Sequence, residues 1–277
     1  MSVFDLCPLE ACQFDFMRRA LLAALFIGLA APAVGVFLVQ RRLALMGDGI
    51  GHVAFAGVAA GFLAGVAPVA TAVAAAVLGA IAIELLRERG RTAGDVALAL
   101  IFYGGIALGV FLTSMSDATS GNLIGYLFGS VVTVDNGDLA VTGGAAAAVL
   151  ALTFLLRKEL FAVCYDEDIA RTAGLPVRLF NITIAVAAAV TIAVTMKVVG
   201  ILLVSAMLVL PVAAAQQVTR SFRATVLAAV ALGAVEAVAG LLVAFYADVY
   251  PAATIVLGAM IVFALAAATA RLRRVAA

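Results

Sequence analysis

The arginines of this chain come in clusters, and the apolar sequence between consecutive clusters is long enough to cross a bilayer twice. The clusters are Arg41 and Arg42; Arg87, Arg89 and Arg91; Arg157 and Lys158 with Arg171 and Arg178; Arg220 and Arg223; and Arg271, Arg273 and Arg274. Together they hold 14 of the 17 basic residues. A transmembrane helix needs about 20 apolar residues. An out-and-back pair of helices between clusters returns every cluster to one side, and the positive-inside rule names that side the cytoplasm. Composition agrees: 66% of residues are hydrophobic and only 12% charged, against about a quarter charged in a soluble domain. A water-facing surface cannot be built from so few charges. That excludes a cytosolic enzyme, a disordered chain and a secreted disulfide scaffold. There is no Trp, so Tyr, Phe and Arg must anchor the helices at the interfaces.

The expected architecture is all-α and polytopic, with about nine transmembrane helices, or eight if one weak span fails. The spans are expected near 20–39, 45–66, 68–86, 96–115, 139–156, 180–196, 198–215, 224–245 and 252–270. The N-terminus lies outside and the C-terminus inside. The upstream acids Asp5, Glu10 and Asp15 do not make a positively charged signal-peptide start, so the first helix is read as retained. The stretch 123–134 is apolar but too short to span, and is expected to be re-entrant or interfacial. Everything, 1–277, reads as a single transmembrane domain, with one long polar cytoplasmic segment at about 157–178.

Several soluble-protein chemistries are missing from the sequence. Lys158 and Lys197 have no Gly-rich loop before them, so there is no Walker A phosphate cradle. Gly47, Gly49 and Gly51 lack the spacing of a dinucleotide fingerprint and read as packing glycines. Cys7, Cys12 and Cys164 form no C-x-x-C pair and cannot complete a tetrahedral zinc site alone.

Ionisable side chains at mid-membrane depth are costly, at least ~2.5 kcal/mol each on insertion scales, so they are functional candidates. His52 is the only histidine and lies ten residues beyond Arg42, roughly 15 Å along a helix. Asp48 precedes it by one turn, on the same face. A carboxylate and an imidazole so placed suit a divalent first-row cation; the plainer reading is that Asp48 only orients His52. Glu236 is a second deep carboxylate, flanked by Gly233 and Gly240. It can complete a metal path, relay a proton or pair with another polar group. Glu84 and Arg87, near the inner edge, read as a solvated i,i+3 pair. Gly47 and Gly51, then Gly57, Gly61 and Gly65, recur every four residues and read as small-residue ridges for close helix packing.

The run Arg41-Arg42-Leu43-Ala44-Leu45-Met46-Gly47-Asp48, ending at His52, resembles the membrane permease of ABC-type zinc/manganese importers, whose pattern is R-R-x-S-x-M-G-D-x-x-S-H. Ala44 and Gly51 stand where serine is usual. Gly125-Tyr126-Leu127-Phe128-Gly129, the loop from Tyr165 to Val177, and Met196-Lys197-Val198-Val199-Gly200 through Leu210-Pro211 are similar to further stretches of that family. The resemblance implies an ABC importer permease fold, in a homodimer with the path at the dimer interface. It implies a separate cytoplasmic ATPase that hydrolyses ATP, and an extracytoplasmic metal-binding protein, all at the bacterial inner membrane. The chain itself would be no enzyme, would hold no permanent cofactor and would bind no nucleic acid.

In that reading Asp48, His52 and Glu236 handle the metal, and Asp117 and Asp248 line the outer mouth. The coupling loop carries Asp166, Glu167, Asp168, Ala170, Arg171, Gly174 and Pro176. Acids at the start of 166–173 suit a helix N-terminus, and Gly174 with Pro176 ends it. Met196-Lys197 looks more like the zinc branch than the manganese branch, so zinc is favoured over manganese or iron. Two alternatives stay open. One is an ABC permease for a metal chelate such as haem, siderophore or cobalamin. The other is an ion-gradient-driven secondary transporter with Asp48 and Glu236 as proton carriers.

Overall fold

A backbone in lipid has no water to bond to, so each crossing must satisfy its own polar groups as a helix. The computed structural model describes residues 10–88, 94–115, 125–129 and 133–275. Among them are eleven α-helices: α1 (Asp15–Gln40), α2 (Met46–Ala64), α3 (Pro68–Glu88), α4 (Gly94–Met115), α5 (Asn136–Leu155), α6 (Arg157–Tyr165), α7 (Glu167–Thr172), α8 (Val177–Val199), α9 (Ile201–Val218), α10 (Phe222–Ala247) and α11 (Pro251–Val275). Eight of these, α1 to α5 with α8, α10 and α11, are long and apolar enough to cross a membrane. The expected span at 198–215 forms α9, 18 residues long and apolar over most of its length. It follows directly on α8, which runs on to Val199, and a single residue, Gly200 at φ +85°, makes the break.

Helices α1, α2 and α8 form the interior. About seven-tenths of their apolar windows are buried, against 17% for α5 and 11% for α11. The outer helices therefore keep apolar faces for lipid. Lipid tails are as apolar as leucine, so helices associate here by close packing rather than by hydrophobic expulsion. Glycines make that packing feasible. Gly28 of α1 meets the Gly233 backbone of α10, where any side chain would clash, and Pro32 fills the adjacent space. The glycines of α2 do not form one ridge. Gly47 and Gly51 face Ser205, Leu208 and Ile201 of α9; Gly57 and Gly61 face Pro68, Thr71 and Ala72 of α3. Gly65 packs on nothing and closes α2 in a left-handed conformation, φ +65°.

Ring contacts mark the two ends of the bundle. Phe222 stacks near Phe37 and Phe161 at 5.8 and 4.6 Å, beside the arginine clusters. Phe14 meets Phe245 at 6.0 Å at the opposite end. At the arginine end α1 closes with a Schellman motif: Arg42 adopts φ 59°, its N–H donates to the Val39 carbonyl, and Leu43 N–H donates to Leu38 at 2.8 Å. This turn leads directly into α2. At the other end residues 125–128 form one helical turn, and Gly129 meets Gly200 backbone to backbone. The described part of the short apolar stretch thus packs against the α8–α9 break and does not span.

Candidate functional site

Asp48 lies in the first turn of α2 and His52 one turn on, both half-buried. Their helix is held from two sides. Gly47 and Gly51 fix it against α9, and Gly105 of α4 lets that helix approach the His52 backbone, where an added Cβ would come within 3.0 Å. The imidazole stands edge-on to the Phe102 ring at 4.8 Å. A flat apolar wall on one side limits the ring's rotation, so its nitrogens have few directions open. Two donors of unlike hardness on one rigid, partly open face can contact a cation without enclosing it.

Glu236 does not join this pair. It lies on α10, which packs on α1, α9 and α11, whereas α2 packs on α3, α4, α8 and α9. Its carboxylate is 6% exposed and neither oxygen accepts a hydrogen bond. Among the described residues no three His, Cys, Asp or Glu side chains gather into one metal cluster. One chain therefore offers two donors at Asp48 and His52, and Glu236 stands apart.

The polar loop folds as the sequence pattern predicts. Asp166 caps α7, its Oδ1 accepting from the N–H groups of Asp168 and Ile169 at 2.9 Å each. Gly174, at φ +83°, ends the helix, with Leu175 N–H donating to the Ala170 carbonyl at 3.0 Å. Pro176 then caps α8. Ala170 is buried against Val163 and Val177, while Asp168, Arg171 and Ile169 face outward. Asp248 is exposed and closes α10 in a left-handed conformation, φ 53°. Asp117 lies outside the described residues.

A charged network at the arginine end has one local sequence signal, the Glu84–Arg87 pair, and its other contacts are long-range. Arg41 Nη2 donates to Glu84 Oε1 and to Glu167 Oε1, each at 3.1 Å. Arg87 donates to the other Glu84 oxygen at 2.9 Å, and Asn181 Nδ2 donates to Glu167 at 3.2 Å. The side chains of Arg41 and Glu84 are 4% and 6% exposed. Glu84 is therefore not half of a solvated pair. It is a buried carboxylate between two arginines, because the end of α1 packs over it. The planar guanidinium can serve two carboxylates at once, which a lysine ammonium on its flexible stem does less well. At the opposite end Lys197 Nζ donates to Asp138 at 2.7 and 2.8 Å, joining α8 to the first turn of α5.

Comparison with known proteins matches these features over nearly the whole chain. The ABC 3 transport family profile matches residues 13–270. The manganese transport system membrane protein MntC of Halalkalibacterium halodurans is 32% identical over 257 residues, spanning 93% of this chain and 88% of that protein. The chelated iron transport system membrane protein YfeD of Yersinia pestis is 32% identical over 239 residues, spanning 86% and 80%. Among solved structures, PsaBC from Streptococcus pneumoniae in complex with Fab superposes with a TM-score of 0.82 at 31% identity, covering 92% of this chain and 91% of that one.

Proposed function

Because this chain belongs to the ABC 3 transport family, we propose that it is the permease through which a divalent first-row metal ion enters the cell, driven by a separate ATPase. It is a multi-pass membrane protein. The arginine end is cytoplasmic, so the N-terminus is outside and the C-terminus inside. Family membership sets the gradient-driven alternative aside. The observation that carries the metal reading is the Asp48–His52 pair: the chain's only histidine, one turn from a carboxylate, half-open on a helix held rigidly by glycine contacts.

One chain supplies two donors, so a second copy supplies two more where the paths meet. An extracytoplasmic binding protein delivers the ion at the end bearing Asp248, with Asp117 as its companion. The ATPase engages the 157–178 segment, with α7 as the coupling helix. Glu236 is a polar group of the bundle rather than a ligand of the same ion, since it lies on a helix that does not pack on α2.

On the identity of the ion, Met196-Lys197 pointed toward zinc. Lys197, however, is occupied by Asp138 and brings no ligand chemistry. Relatives named for manganese and chelated iron move the preference to manganese or iron, with zinc as the competitor. A carboxylate with an imidazole accepts all three. A bare ion is favoured over a chelate because these donors need direct access to the metal.

Growth rescue of a strain lacking its own metal importers tests this reading. Expression with the cognate ATPase and binding protein should restore growth in metal-limited medium. Asp48→Ala and His52→Ala should each abolish rescue at wild-type membrane levels. Full rescue by the double variant would rule the pair out as metal contacts.

A further inference from the structure

Helix α7 is six residues long, too short to hold its place by helix propensity alone. Three things hold it: the Asp166 cap, the small apolar cluster around Ala170, and Glu167. The first two are local, since the cap is internal and the cluster joins α7 only to its chain neighbours α6 and α8. Glu167 reaches out of the segment. Its Oε1 accepts from Arg41, 126 positions earlier in the chain, and from Asn181.

Arg41 is the residue at which α1 ends. The Schellman turn through Arg42 is pinned by Leu43, which is 4% exposed, and α2 begins at Met46 with Asp48 in its first turn. A rigid path of a few residues therefore links the Arg41 guanidinium to the metal-facing helix. The two carboxylates on Arg41 are not equivalent. Glu84 is 6% exposed and is also held by Arg87, whereas the Glu167 side chain is 42% exposed. It borders a polar cavity of about 200 Å³ lined also by Glu84, Arg87, Arg171, Arg178 and Asn181. Both carboxylates border the cavity, but Glu84 is buried and held by two arginines, whereas Glu167 is largely open to water and held by one. Displacing α7 must then either carry Arg41 along or break the Glu167 limb while Glu84 keeps the charge compensated.

We propose that Arg41 is a positioning residue for transport: its two-carboxylate contact links displacement of α7 to the turn from which Asp48 and His52 are presented. This rests on α7 being where the ATPase engages. A charged contact with one fixed and one releasable partner gives two discrete arrangements, which is what transmission between distant sites requires. Arg41→Lys keeps the charge and loses the planar Nη2 group that serves both carboxylates; Glu167→Gln keeps an acceptor and loses the charge.

The test reconstitutes the full complex, with ATPase and binding protein, in liposomes. It measures manganese ions imported per ATP hydrolysed. A merely structural role lowers both rates together and leaves their ratio alone. Arg41→Lys and Glu167→Gln should each lower the ratio by about 3- to 10-fold. If Arg41→Lys does not reach the membrane, Glu167→Gln decides alone. A ratio within twofold of wild type overturns the proposal. If the wild-type chain neither retains the ATPase nor imports metal, the permease reading itself falls, and that outcome is distinct from a wild type that transports and variants that couple normally.

Discussion

Lys197 Nζ lies 2.7 Å from Asp138 Oδ2 and binds both oxygens of that carboxylate, tying the last turn of α8 to the first turn of α5. Asp138 also closes a capping box with Asp135, whose Oδ1 accepts from the Asp138 N–H at 2.7 Å. The exposed Asp135 carboxyl is held below its usual range mainly by that backbone N–H. The contact stands beside the meeting of Gly129 with Gly200, so it clamps the end of the bundle opposite the arginines. Lys197→Met should cost about 1 to 2 kcal/mol, the worth of a charge-assisted hydrogen bond. Thermal unfolding of the purified protein in detergent checks this. Asp138→Asn should add little once Lys197 is gone, and fully additive losses would mean the two residues do not act as a pair.

Two glycines at nearly the same φ should respond differently to alanine. At Gly174, φ +83°, nothing lies within 4 Å of an added Cβ, so the cost is backbone strain alone, about 1 kcal/mol. At Gly200, φ +85°, the Cβ would sit 2.5 Å from the Phe128 carbonyl carbon and 2.6 Å from the Gly129 nitrogen. Strain and collision together should exceed about 3 kcal/mol. Folded yield of Gly200→Ala should collapse while Gly174→Ala is recovered nearly in full. Equal yields would contradict the backbone contact.

Asp166→Ala removes two hydrogen bonds from the start of α7. A cap of this kind is worth about 1 kcal/mol. Hydrogen exchange at residues 168–172 should quicken several-fold, with no change in the long helices. Unaltered exchange would show that Ala170 packing alone holds the segment.

Burial pushes the Cys164 thiol from its ordinary 9.0 up to about 12, and Arg41 only partly opposes this. Its Sγ lies 3.9 Å from the Phe37 carbonyl oxygen. The neutral form is the one favoured by folding, so this contribution to stability is present below pH 9.0 and lost as pH rises toward about 12. Maleimide at pH 8 should label Cys164 only after unfolding. Rapid labelling of the native protein would contradict its burial.

The helices were legible because arginine spacing and run length are local properties, and the α7 hairpin was legible because Asp166, Gly174 and Pro176 act within a few residues of themselves. Arg41 was read as a topological label, yet its guanidinium is buried and bonded to residues 43 and 126 positions away. No periodicity encodes such a contact. Glu84 was misread for the same reason: its i,i+3 partner is visible in the sequence, and the helix end that buries it is not. Lys197 entered only as part of a family signal about the ion; its contact with Asp138, 59 positions away, has no local sign in the sequence. Of the α2 glycines read as packing residues, Gly47, Gly51, Gly57 and Gly61 do pack on neighbouring helices, and Gly65 instead closes the helix. Which neighbour each one meets, α9 or α3, followed only from the assembled bundle.

The central claim is that Asp48 and His52 contact the transported ion. Uptake of radiolabelled manganese by the reconstituted complex, with unlabelled zinc and iron as competitors, tests it most directly. The account predicts ATP-dependent manganese uptake in the wild type, reduced at least about 100-fold in Asp48→Ala and in His52→Ala, as loss of a needed ligand implies. Manganese uptake at wild-type rates in both variants would contradict it.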